Sequence, residues 1–270
     1  MKRFALISII LILLGNVGCS NEKLNSNSDI NNSEPIPTIS VVENETKDTI
    51  NPTKEAVNQI DNSSKKAKDI STFIPQGWHI LEKNDGKLAK VEGDLNKDSI
   101  NDIAFVIEGN TQPEEPDPEM VWGPPRSLLI AFGKKDNTYS LSIKSDDSIM
   151  LREQGGVFGD PFDDIVIDRG SLLLKFYGGS NWRWYRNYRF RFQNEGWYLI
   201  GATFGSYYTG TTTMDNADEE DYNYLTGDYI IKKSDEKGKL ITTKGNREKR
   251  ELLNLKDFGD FSDEDEFLME

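Results

Sequence analysis

Between residues 127 and 204 the chain alternates short apolar and aromatic runs with Gly/Asn/Asp turns, and this spacing restricts its fold more than any other feature. The runs are 127–132, 138–143, 149–151, 164–167, 172–177, 182–192 and 197–204. Gly133-Lys134-Lys135-Asp136-Asn137, Asp168-Arg169-Gly170 and Asn194-Glu195-Gly196 separate several of them, and such residues accept the positive φ of tight turns. No long stretch carries the 3.6-residue period of an amphipathic helix. The pattern predicts an all-β antiparallel fold, either a β-meander or a small partial-propeller or sandwich-like domain. Further strand-like runs lie at 88–92, 103–107, 229–232 and 240–243; the second is continuously apolar, as for a strand buried on both faces.

Hydrophobic residues make up only 36% of the 270 residues, yet aromatics reach 10% and gather in the middle. That contrast places an aromatic-rich domain between polar ends. The formal net charge of −14, from 32 Lys and Arg against 46 Asp and Glu, excludes a phosphate-tracking basic surface and hence a nucleic-acid partner. One cysteine, Cys19, and one histidine, His79, exclude an internal disulfide, a Cys/His zinc site and a Cys–His dyad.

The chain starts Met1-Lys2-Arg3 and continues with an apolar run over 4–14, too short to span a bilayer. This reads as a signal peptide over 1–18. Its end, Gly15-Asn16-Val17-Gly18-Cys19, resembles the lipobox of bacterial lipoproteins, with Asn16 where an apolar residue is usual. The resemblance implies that Cys19 is lipidated and tethers the protein to a membrane; an ordinary signal peptide with an incidental cysteine is the alternative. Residues 19–72 are polar, contain Pro35, Pro37 and Pro52, and have no aromatic residue. They read as a disordered linker. The β-domain is expected over 73–244, followed by a charged, partly disordered acidic tail over 245–270.

Asp94, Asn96, Asp98 and Asp102 place oxygen-bearing side chains where a tight loop can turn them around one hard cation. Ser99 stands at the sixth position and Phe105 at the twelfth, so the loop is not an EF-hand. It resembles the calcium loops of FG-GAP and VCBS-type repeats, which join two β-strands. The resemblance implies Ca²⁺ bound by side chains of Asp94, Asn96, Asp98 and Asp102 and by the backbone carbonyl of Ile100. Asx-turns in a solvent loop are the alternative. With one such loop, a full propeller is not expected.

Tyr188, Phe190 and Phe192 alternate with Arg189 and Arg191, giving one apolar and one basic face. Trp182 and Trp184 share a face, and Trp197 begins the next run. Together with the loop, these segments resemble a family of bacterial lipoproteins that carries no established activity. Trp182, Trp184 and Trp197, edged by Arg183, are candidate ligand-binding residues for a sugar or peptide; the same aromatics also suit a β-domain core. A nucleophile elbow, a P-loop and a dinucleotide fingerprint are absent, and His79 has no evident catalytic partner. Asp160, Asp163 and Asp164 are the carboxylates nearest the Trp cluster in sequence. The expectation is a non-catalytic, lipid-anchored protein on the extracytoplasmic side of the cell or outer membrane. Its calcium-stabilised β-domain would act as a binding or structural module, with a cell-wall glycan or protein partner. A sugar-binding module or weak glycoside hydrolase is the alternative.

Overall fold

The continuous apolar stretch at 103–107 lies at the middle of the first of two sheets. In this computed structural model, which describes residues 66–111 and 123–259, that sheet contains β1 (Lys66–Ala67), β2 (Trp78–Ile80), β3 (Lys90–Gly93), β4 (Asp102–Gly109), β5 (Arg126–Gly133) and β6 (Tyr139–Ser145). The order is β1-β6-β5-β4-β2, with β3 also on β4, and every pairing is antiparallel. β2 and β3 lie end to end along one edge of β4. Between them the Leu81 N–H donates to Val106 O and the Val106 N–H to Ala89 O, both at 2.9 Å.

The second sheet is a seven-stranded antiparallel meander: β7 (Phe162–Asp168), β8 (Ser171–Gly179), β9 (Trp182–Gln193), β10 (Gly196–Tyr208), β11 (Asp218–Asn223), β12 (Asp228–Ser234) and β13 (Leu240–Asn246). Its tight turns follow the local chemistry expected of them. Arg169 and Gly170 have φ of 51° and 66°, and Asn194 and Glu195 of 48° and 59°. Two successive left-handed residues give a turn whose twist matches its flanking strands.

Val106, Leu128, Ile130 and Ile143 of the first sheet meet Leu172, Leu174, Tyr188, Phe190 and Trp197 of the second in one buried cluster. Each fully buried side chain of this kind contributes about 1.5–3 kcal/mol. The opposite face of the first sheet presents Ile103, Phe105, Ile107 and Leu129 to Ile70, Phe73, Ile74 and Trp78. β4 is therefore covered on both faces, which is why it lacks an alternating pattern. The fold is all-β and antiparallel, a meander facing a smaller sheet.

Several boundaries differ from expectation. The fold takes in residues from Lys66, because β1 adds to the edge of β6 and the segment after it covers the first sheet. Residues 149–151 form no strand; Ile149 and Met150 are buried as the chain crosses toward the second sheet. β11 includes the acidic run Asp218-Glu219-Glu220-Asp221, which is not among the strand-like runs of the sequence. The chain also remains packed past residue 244. Leu255 and Phe258 are buried, and Phe258 meets the rings of Tyr188 and Phe190 edge-on at 4.9 and 5.0 Å. The signal peptide, Cys19, most of the linker, Trp122 and residues 260–270 lie outside the described residues.

Candidate functional site

The loop over 94–102 connects β3 to β4, and its ends, Gly93 and Asp102, are paired across the two strands. Its turns are closed by its own side chains. Asp94 accepts the N–H groups of Lys97 (2.6 Å) and Ser99 (3.0 Å), Asn96 Oδ1 that of Asp98 (2.9 Å), and Asp98 that of Ile100 (2.9 Å). Lys97 and Ser99 sit at φ of 66° and 68°, in the left-handed region. Asp102 is buried and accepts three backbone N–H groups, from Leu95, Asn96 and Gly133, at 2.8, 3.1 and 3.0 Å. Burial pushes its carboxyl above the usual range, and these hydrogen bonds counter part of that shift. A Cβ on Gly133 would meet Asn101 O at 2.2 Å, so glycine is required where β5 passes the loop.

Asp94, Asn96, Asp98, Asp102 and the Ile100 carbonyl are an all-oxygen set, chemistry that fits Ca²⁺ and excludes soft metals. Carboxylate oxygens that accept one N–H keep a second acceptor position. Among the described residues, no three His, Cys, Asp or Glu side chains gather into a group that could hold an ion by themselves. The carboxylates of Asp94, Asp98 and Asp102 therefore do not converge by themselves, and Asp102 Oδ2 already accepts the N–H groups of both Leu95 and Asn96.

The three candidate tryptophans separate. Trp197 is buried in the core and donates through Nε1 to Ser142 Oγ at 3.0 Å. Trp184 is half-buried, lies over Gly178 and has the Arg186 guanidinium 5.5 Å from its ring centre. Trp182 is 65% exposed and packs on Tyr208 at 5.3 Å. Arg183 turns to the other face of the sheet, with its guanidinium 4.2 Å from the ring centre of exposed Phe158. Only Trp182 of the three offers an open aromatic face, and it borders a groove of about 800 Å³ with Tyr208, Ser206, Thr213, Asn216 and Asp218.

A buried ionic cluster has no counterpart in the sequence reading. Arg126, on β5 opposite Glu108 of β4, binds that carboxylate, both oxygens of Asp160 and the Met150 carbonyl. Arg152 binds the second oxygen of Glu108 at 2.9 Å. Burial alone would lower the Arg126 pKa, but Asp160 and Glu108 outweigh it and raise it. His79 faces Asn110, Nδ1 to Oδ1 at 2.8 Å. Its Nε2 lies 3.8 Å from Glu108. The partners are 18 to 44 residues apart in sequence, so only the polar ends of two apolar runs hinted at them.

Of the carboxylates considered for hydrolysis, Asp160 is committed to Arg126 and Asp164 to Lys83 at 2.7 Å. Burial, and then the nearby Asp164, push the Asp163 carboxyl up. Comparison with protein-family models, curated proteins and solved structures gives no match to the chain.

Proposed function

We propose that the protein is an exported lipoprotein, tethered through lipidated Cys19 to the extracytoplasmic side of a cell or outer membrane, whose β-domain is a non-catalytic binding module of the envelope. One Ca²⁺ held at 94–102 stabilises that domain. The observation that carries the binding role is the uneven distribution of exposed apolar surface. Val157, Phe158, Trp182 and Tyr208 lie open around the end of the second sheet where β8 and β10 finish and β9 begins; Leu88, Met214 and Ile241 are also exposed. Phe158 contacts Tyr177, whose hydroxyl meets that of Tyr207 at 2.7 Å, on the face of the sheet opposite the Trp182–Tyr208 pair, so the end of the sheet is aromatic on both faces. Clustered exposed apolar groups mark interaction sites more often than scattered ones do. By contrast, the buried Arg126 cluster is internally matched, and Asp160 and Asp164 are already engaged, which supports a non-catalytic reading.

The test has two parts. Fatty-acid labelling should mark the wild-type protein in its host, and Cys19→Ala should abolish both the label and membrane fractionation. Purified envelope material should retain the full-length protein. Retention by neither membrane nor envelope would sink this reading.

A further inference from the structure

We propose that the groove beside Trp182 binds a neutral glycan chain. The proposal rests on the binding-module reading and specifies its ligand. β9 and β10 outrun β11, whose pairing with β10 stops at Ser206↔Asp218. The last pair of the hairpin, Trp182↔Tyr208, therefore projects beyond the neighbouring strand. Trp182 leaves 65% of its surface open and meets Tyr208 with the rings tilted by 42°. The two rings together form a contiguous aromatic surface, which is more informative than a single exposed side chain. An angled aromatic pair suits the apolar C–H face of a pyranose ring.

The rest of the groove is mostly polar, with a single charged side chain. Ser206, Thr213 and Asn216 are exposed, and none of their side chains makes a hydrogen bond within the described residues. Asp218 is the only charged lining residue, in a chain where 29% of residues are charged, and it already accepts the N–H and hydroxyl of Ser234 at 2.8 and 2.9 Å. With no Lys or Arg in the lining, neither a polyanionic polymer nor a lipid headgroup finds a counter-charge. Hydroxyl and amide groups around an aromatic floor match a neutral, hydroxyl-rich ligand. About 800 Å³ lies within the ~300–1,000 Å³ of ordinary ligand sites.

The walls are held in advance. Thr209 donates to Asn181 O through its N–H (2.8 Å) and hydroxyl (3.1 Å), and the Thr212 N–H donates to Tyr208 O (3.0 Å). Binding therefore orders little that is not already ordered. Trp184 lines an adjoining depression that shares Ser206 and Asp218 with the groove; it also holds Arg186 and the Lys233–Glu220 ion pair (2.7 Å), so the neutral surface is the groove beside Trp182 itself.

Calorimetric titration of the full-length protein in detergent tests this, with a β-1,4-linked N-acetylglucosamine hexamer, cellohexaose and a polyglycerol-phosphate as separate probes. At least one neutral oligosaccharide should bind saturably and the polyanion should not. Trp182→Ala should weaken binding about tenfold or more while melting like wild type, and Trp182→Phe should restore part of it. The proposal is overturned if neither oligosaccharide binds, or if binding survives Trp182→Ala. Envelope retention that persists without oligosaccharide binding refutes the glycan assignment alone, whereas loss of both refutes the module reading as well.

Discussion

A single oxygen of Glu108, Oε1, accepts two hydrogen bonds from Arg126, from Nε at 2.9 Å and from a terminal nitrogen at 2.8 Å. The Arg126 side chain is 0% exposed, and its remaining donors are taken by Met150 O and Asp160. A guanidinium is tolerated at this depth because each of its N–H groups has an acceptor, from two carboxyl groups and a backbone carbonyl. The cluster ties β4 and β5 to the crossing segment that leads into the second sheet.

Arg126→Met removes the cation and leaves Asp160 and Glu108, the latter still bound by Arg152, without their shared partner. The expected loss is about 3–5 kcal/mol in urea unfolding. Glu108→Gln keeps an acceptor and should cost clearly less. A loss for Arg126→Met within the error of the measurement would mean that water enters the cluster.

The two ends of the 94–102 loop should respond differently to calcium. Chelation is expected to lower the melting temperature of the wild type, since an ion bound only to the folded state adds stability. Exposed Asp98 closes only local bonds, so Asp98→Ala should remove the difference between calcium and chelator at small intrinsic cost. Asp102→Asn presents an amide to three backbone N–H groups and should destabilise by about 1–3 kcal/mol with or without calcium. Identical melting of the wild type in calcium and chelator rules the ion out.

Acid should loosen the β11–β12 pairing. Glu219 is bound by Lys232 (2.7 Å) and Tyr185 (2.6 Å), and Glu220 by Lys233 (2.7 Å) and Tyr222 (2.6 Å). Burial pushes both carboxyls up, but these partners outweigh it and hold them below their ordinary 4.5. Their contribution is therefore fully present above about pH 4.5 and is lost as pH falls through the depressed folded values. Melting followed from neutral to acid pH should drop more steeply for the wild type than for Glu219→Gln. In alkali, burial and then the Glu220 bond push Tyr222 up to about 12. Its contribution is whole below pH 10.0 and is lost as pH rises toward that value. Tyrosinate absorbance should thus show a late-titrating fraction, reduced in Tyr222→Phe.

Replacing Trp197 should cost much stability and replacing Trp182 almost none. Trp197→Ala empties a buried site and orphans Ser142, with an expected cost of about 3–5 kcal/mol. Trp182→Ala should stay within about 0.5 kcal/mol of wild type. Chemical denaturation of both variants measures the contrast.

Much of the fold was readable because its signals are local. The left-handed turns at Arg169-Gly170 and Asn194-Glu195, the apolar run of β4 and the alternation of β9 each depend on a few adjacent residues. β11 was not readable. Asp218-Glu219-Glu220-Asp221 has poor strand propensity, and it pairs because Ser234, Lys232, Lys233 and Thr203 meet its carboxylates one by one. The tail was read as solvated for the same reason: nothing near Phe258 in sequence announces that Tyr188 and Phe190 leave a place for its ring.

The sequence by itself determined the class of fold, the position of the oxygen-rich loop between two strands and which aromatics share a face, since these follow from backbone preference and two-residue periodicity. Only the tertiary structure decided which aromatics are core and which are open. Trp182, Trp184, Tyr188 and Phe190 alternate onto one side of β9, yet exposure falls from 65% at Trp182 to 0% at Tyr188 and Phe190. Alternation assigns a side chain to a face of a sheet, but where the opposing sheet ends is set by packing between residues far apart in the chain. The candidate groove lies past that edge.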